Sequence, residues 1–127
     1  WSSWTLIGKD KRVFFSGDSG YDIHFKEIGS RFGPFDLIFM ENGQYNEMWY
    51  MSHLRPEETI KAYHDMGRAG ALQPIHWGMF NLAPHDWFEP IEKTYHAAKK
   101  NNLNLLAPVY GEIIDPSVKH ELKRWWK

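Results

Sequence analysis

The sequence lacks several features that define common protein classes. It has no cysteine among its 127 residues, which excludes disulfide scaffolds, thiolate zinc sites and cysteine nucleophiles. An excess of charge of either sign is missing too: 15 basic and 16 acidic residues leave a net charge of −1, so no nucleic-acid partner is expected. Long hydrophobic runs are also absent, because no apolar run approaches the roughly 18 to 20 residues that span a bilayer.

The chain is rich in aromatic residues, which make up 17% of it and provide ample apolar area for the core of one domain. It begins with tryptophan rather than methionine, which favours the interpretation that the chain was cut, naturally or by engineering, from a longer protein. Apolar segments alternate between strand-like and helix-like patterns, and this alternation indicates an α/β layered architecture. The predicted strands are 3–7, 12–16, 35–40, 71–75, 103–107 and 110–114, and the predicted helices are 21–32, 56–67, 86–101 and 116–127.

Asp18 lies between two glycines directly after the second predicted strand. Strand ends are the usual positions of sites in α/β folds. Flanking glycines let the backbone bend, and a carboxylate there could hold metal ions or orient a base. The alternative is that Asp18 forms a turn or caps the following helix.

His76 directly follows the predicted strand 71–75. Its imidazole could bind a metal ion or act as a base, or it could be a half-buried histidine bonded to a backbone carbonyl. Two other histidines, His53 in the irregular segment 41–54 and His85 before a helix, could reach a site. The remaining histidines fall among polar neighbours and are expected at the surface: His24, His64, His96 and His120.

The order of these motifs resembles that of the metallo-β-lactamase superfamily. The similarity begins with residues 13–21 (VFFSGDSGY), continues through 25–29 (FKEIG) and 31–36 (RFGPFD), and extends to 75–80 (IHWGMF). Within the superfamily, the sequence is most similar to the branch of N-acyl-phosphatidylethanolamine-hydrolysing phospholipase D.

The resemblance implies one half of an αβ/βα sandwich, with a mixed sheet and covering helices, and one or two metal ions, usually zinc. By position, Asp18 matches the aspartate that bridges both ions and His76 matches a ligand of the second ion. Both are therefore predicted catalytic and metal-ligating residues. His53 matches a histidine near the cleft, which implies contact with substrate or support of the ligands.

The H-x-H-x-D-H cluster of the family does not occur in residues 1–127. The chain is therefore expected to be the C-terminal half of a metal-dependent hydrolase, inactive alone, that pairs with its missing N-terminal half or with itself. The resemblance implies a phosphodiesterase or phospholipase D-like reaction by a metal-bound hydroxide on a small molecule or phospholipid. A lactonase, another phosphoester hydrolase, or a non-catalytic scaffold or subunit-interaction domain remain alternatives.

The expected location is cytoplasmic, with the membrane surface as a second place of action. The tryptophans and lysines of residues 118–127 could lie on a bilayer as a short amphipathic helix. The commoner arrangement for such a segment is to pack its leucine and tryptophans on the domain.

Overall fold

The computed structural model describes residues 1–67 and 70–127. Strands and helices alternate along most of the chain, as the sequence predicts, with one short 3-10 helix in the long loop after the third strand. The elements are β1 Trp4–Ile7, β2 Arg12–Phe15, α1 His24–Phe32, β3 Leu37–Glu41, the 3-10 helix Glu47–Trp49, α2 Pro56–Asp65, β4 Ala71–Ile75 and α3 Glu89–Lys100.

The four strands form one mixed sheet in the order β1-β2-β3-β4. β1 and β2 are an antiparallel hairpin, and its turn is closed by the Gly8 N–H, which donates to the Lys11 carbonyl at 2.8 Å. β2, β3 and β4 run parallel, because α1 and α2 return the chain to the same end of the sheet. The carboxyl ends of these three strands therefore meet at one edge.

One face of the sheet is covered by the helices. Phe14, Ile38 and Leu72 lie on this face and are fully buried. They belong to a single apolar cluster that includes residues of α1, α2 and α3; for example, the rings of Phe14 and Phe25 meet edge to face at 6.4 Å. The predicted α/β class, a mixed sheet with covering helices, is confirmed.

The opposite face, here called the open face, is apolar but less covered. Trp4, Leu6 and Phe15 are 65%, 61% and 41% exposed. The register pairs Trp4 with Phe15 and Phe15 with Phe39, and directly opposed residues lie on the same side of a sheet. Side chains of β1, β2 and β3 thus form a continuous apolar surface, and none of the helices in residues 1–67 and 70–127 covers it.

The C-terminal region differs from its prediction. Residues 103–107 contribute one isolated bridge, between Leu72 and Leu105, and residues 110–114 and 116–127 form turns and irregular backbone rather than a strand and a helix. Trp126 is buried against Ile91 and Ala107, so contacts with α3 determine this segment. The interpretation that its tryptophans pack on the domain is confirmed, and the amphipathic helix is wrong.

A bilayer-spanning helix would have to be longer and more apolar than any helix in the described part of the chain.

Candidate metal centre

Asp18 projects from the bend that follows β2. Gly17 adopts a positive φ of 63°, and a Cβ there would stand 2.4 Å from the Ser2 carbonyl oxygen. Only glycine fits this conformation without strain, so the chain turns sharply just before Asp18. Helix α1 begins at His24 with Ile23 at its N-cap position, so the alternative in which Asp18 caps that helix is wrong.

His76 follows β4 in a conformation that is rare for a residue with a side chain. Its φ is +66°, in the left-handed region that non-glycine residues seldom occupy. The backbone of the neighbouring loop packs closely on it, since a Cβ on Gly43 would lie 2.4 Å from the His76 carbonyl oxygen. Glycine at 43 therefore allows the loop after β3 to approach the end of β4.

Asp18, His53 and His76 converge at this edge of the sheet. One potential ligand atom from each lies within 4.8 Å of the others, and His76 Nε2 is 3.8 Å from Asp18 Oδ1. The rings of His53 and His76 stack with their centroids 5.0 Å apart. The side chains of Asp18, His76 and His53 are 58%, 29% and 18% exposed, so the group opens to solvent on the Asp18 side.

Glu41 is a fully buried carboxyl group beside this cluster. One of its oxygens accepts the backbone N–H groups of Ser19 and Leu54, each at 3.1 Å, and the other contacts His53 Nδ1. Burial raises the pKa of Glu41, although the two backbone hydrogen bonds oppose the shift. Its contact with Nδ1 leaves Nε2 as the ring nitrogen of His53 that can face a ligand.

Burial and the adjacent His76 lower the pKa of His53. A lowered pKa favours the neutral imidazole, which is the form that binds metal ions. Two imidazole nitrogens and one carboxylate oxygen are donors that zinc accepts, and three protein ligands are the number that catalytic zinc sites usually have. The donor set therefore fits the divalent metal that the sequence resemblance implies.

The structure brings together the predicted metal ligands Asp18 and His76 and adds His53 to the same group. The predicted role of His53, in contact with substrate or in support of the ligands, stays a prediction. His85 is engaged elsewhere: it accepts the Gln44 N–H at 3.0 Å and stacks on Tyr45.

Sequence reasoning missed Glu41, which it placed at the start of an irregular loop. The signal was a carboxylate directly after the apolar run 37–40, because an acidic residue at the end of a buried strand needs partners.

An apolar groove lies next to the cluster and shares His76 with it. Its volume is about 470 Å³, and aromatic side chains form much of its wall. Trp77, Phe80, Tyr110 and Trp125 are among the lining residues. Clefts of this kind, mostly apolar with a few polar groups, are typical of small-molecule sites.

Comparison with known proteins shows which family the chain resembles. A model described as a beta-lactamase superfamily domain matches residues 1–77. An uncharacterized protein of Mycobacterium tuberculosis is 40% identical over 129 residues, which cover all of this chain and 35% of that protein. The chain thus spans about a third of the length of this relative.

Two relatives carry more specific names. The outer membrane protein RomA of Klebsiella pneumoniae is 47% identical over 78 residues, covering 61% of this chain and 58% of RomA. The N-acyl-phosphatidylethanolamine-hydrolyzing phospholipase D 1 of Caenorhabditis elegans is 38% identical over 97 residues, covering 73% of this chain and 27% of that protein. With a family model matching more than half of its residues, the chain belongs to the metallo-β-lactamase superfamily.

Proposed function

We propose that this chain is the C-terminal part of a metal-dependent hydrolase that cleaves phosphodiesters in the manner of a phospholipase D. The observation that carries the proposal is the convergence of Asp18, His53 and His76 at the carboxyl edge of the sheet. Superfamily membership supports a hydrolase, and the likeness to a phospholipase D of C. elegans supports a phosphodiester substrate.

In this proposal Asp18 and His76 are metal ligands, and the metal is zinc, with two ions in the complete enzyme. Asp18, the most exposed of the three side chains, would bind the metal on the side that faces the substrate. His76 would bind the metal from the end of β4. His53 would contact the substrate or complete the ligand set through Nε2. When bound, divalent cations supply Lewis acidity and a nucleophile from water at neutral pH.

The groove beside His76 supports a substrate with an apolar part. Its aromatic wall would hold the hydrocarbon portion of a phospholipid or a comparable small molecule, while the ester lies near Asp18. Lactones and other phosphoesters are the alternatives, and a panel of these substrates distinguishes them through the ratio of kcat/KM values.

We further propose that the open face is covered by the N-terminal half of the parent protein. Exposed apolar surfaces of this kind usually mark an interaction site, and the chain covers only 35% of its mycobacterial relative. A second copy of the chain is the alternative occupant, which sedimentation of the isolated chain would reveal as a concentration-dependent dimer. A monomer at high concentration that also fails to bind the N-terminal half would contradict both.

The test of the metal proposal measures metal content and hydrolysis of a phosphodiester probe, in this chain alone and in the longer parent. Asp18→Asn and His76→Ala should each lower zinc affinity by more than the roughly 10–100-fold that supporting residues contribute. Asp22→Asn and His96→Gln are matched controls, because both residues lie outside the cluster, and they should leave metal content unchanged.

Full metal content and turnover in the Asp18 and His76 variants would refute the proposal and favour a non-catalytic scaffold. Turnover by the isolated 127-residue chain would instead refute its assignment as an incomplete part of the enzyme.

A further inference from the structure

Glu41 joins the separate segments that form the cluster. Its own backbone is fixed on both sides, because its N–H donates to Ser16 Oγ at 2.8 Å and its carbonyl accepts from Thr59 Oγ1 at 2.8 Å. Ser16 follows β2 and Thr59 lies in α2. Glu41 is also the last residue of β3, paired with Ile75 of β4, so its position is set by the sheet and by α2.

From this fixed position the carboxyl group reaches both of those loops. It accepts the N–H of Ser19, the residue after Asp18, and the N–H of Leu54, the residue after His53. It also contacts His53 Nδ1 directly. One buried side chain thus binds the immediate neighbours of two of the three residues in the cluster.

We propose that Glu41 is a positioning residue, which holds the Asp18 loop and the His53 loop so that their ligand atoms meet that of His76. His76 itself is placed by β4 and by its left-handed backbone. The inference rests on the metal group of the proposed function and not on the reaction that the group performs.

A purely structural role is the competing explanation. Fully buried carboxyl groups are rare, and replacing buried ionic groups with apolar ones often leaves stability unchanged or improves it. A carboxyl group at this position makes three polar contacts that no apolar side chain could make. Because all three contacts involve the two loops that carry Asp18 and His53, geometry of the cluster is the property that Glu41 controls.

Two variants separate the parts of this role. Glu41→Leu removes every side-chain contact. Glu41→Gln can still accept from Ser19 and Leu54 through its carbonyl oxygen, but it presents an N–H donor to Nδ1. Metal-binding imidazoles donate their other N–H to an acceptor such as a carboxylate. A carboxyl group can be that acceptor for Nδ1, whereas the glutamine NH2 can only donate, so the glutamine variant fixes the unsuitable tautomer of His53.

The experiment uses the 127-residue chain, with Co²⁺ as the probe and two readouts. Visible absorption gives the Co²⁺ affinity, and hydrogen exchange gives the protection of the Ser19 and Leu54 amides. We expect Glu41→Leu to lower Co²⁺ affinity by about 10–100-fold and to lose protection at both amides. Glu41→Gln should keep that protection and still lose Co²⁺ affinity, which a structural role alone would not produce.

Glu92→Gln is the control, since Glu92 on α3 has several partners of its own outside the cluster. It should leave Co²⁺ affinity at the wild-type value even where it lowers stability.

Wild-type Co²⁺ affinity in a folded Glu41→Leu variant would overturn the proposal. Should that variant fail to fold, Glu41→Asp provides the test, because it keeps the acidic group but is one methylene too short to make the contacts; wild-type affinity there would also overturn it. If the unmodified chain binds no Co²⁺, the metal assignment fails for the isolated chain. Amide exchange and the nuclear Overhauser contacts between the His53 and His76 rings, compared between the unmodified chain and the Glu41 variants, still decide whether Glu41 positions the loops.

Discussion

The two faces of the sheet are both apolar, yet the helices of the described part of the chain cover only one of them. Neighbouring residues of β2 show the contrast: Phe14 is fully buried under the helices, whereas Phe15, one residue later, is 41% exposed on the open face. Hydrophobic side chains on both faces predict a strand that is covered twice. The difference teaches that the open face has the apolar composition of a covered surface, although the described residues leave much of it exposed.

The largest expected effect distinguishes these two phenylalanines. Phe14→Ala should lower the free energy of unfolding by about 3–5 kcal/mol, because it leaves a cavity in a packed core. Phe15→Ala is the matched variant and should cost well under half as much, since the side chain is partly in water already. Chemical denaturation of both variants measures the difference. Equal losses would show that the open face is as important to folding of this chain as the covered one.

A smaller effect is expected for association through the open face. Leu6→Glu places a charge on that surface and should weaken binding of the N-terminal half, or self-association, by about tenfold or more, which is about 1.4 kcal/mol. Ile23→Glu is the control, because Ile23 is similarly exposed but precedes α1, outside the open face. Sedimentation velocity measures both. If the two variants weaken association equally, the contact involves another surface.

The smallest expected effect concerns Glu92 of α3, which contacts the C-terminal segment on the covered side of the sheet. Burial raises the pKa of Glu92, but hydrogen bonds from Trp126 and Lys127 outweigh it and hold the pKa at about 2, below the usual 4.5. A lowered folded-state pKa contributes stability above pH 4.5 that is lost as the pH falls toward 2.

Glu92→Gln should therefore cost about 1 kcal/mol at pH 7, allowing for solvent screening, and this difference should vanish near pH 2. Thermal unfolding across that pH range is the measurement. A difference that stays constant with pH would mean that the hydrogen bonds, rather than the charge, connect the segment to α3.

The local pattern of apolar residues was sufficient to predict most of the fold. The spacing of Tyr21, Phe25, Ile28 and Phe32 predicts a helix, and α1 occupies His24–Phe32. The apolar run ending at Met40 predicts β3. Both signals arise within a few residues of the chain, where the periodicity of an element and its burial are directly linked.

The C-terminal region could not be predicted in this way. Its conformation depends on contacts with residues far away in the sequence, such as the hydrogen bond from Trp126 to Glu92 and that from Trp125 to the Ala107 carbonyl. The strand-like composition of residues 110–114 and the helix-like spacing after Pro116 carried no information about these partners.

The candidate site, too, was predictable only in part. Asp18 and His76 were identifiable because they follow predicted strands, and parallel strands bring their ends together. The resemblance placed His53 near the cleft. The role of Glu41 was not identifiable, because it depends on a carboxyl group that accepts backbone N–H groups from two separate loops. No spacing between these residues in the sequence reveals such an arrangement.

If the proposed metal site is correct, the left-handed backbone at His76 exchanges stability for metal binding. A histidine held at φ +66° costs about 1 kcal/mol or more relative to a residue that accepts this conformation freely. Glycine at position 76 would relieve that cost and remove the imidazole at the same time. Selection for folding alone would therefore favour glycine here, and a screen for thermal tolerance should find this replacement among its stabilised, metal-deficient products.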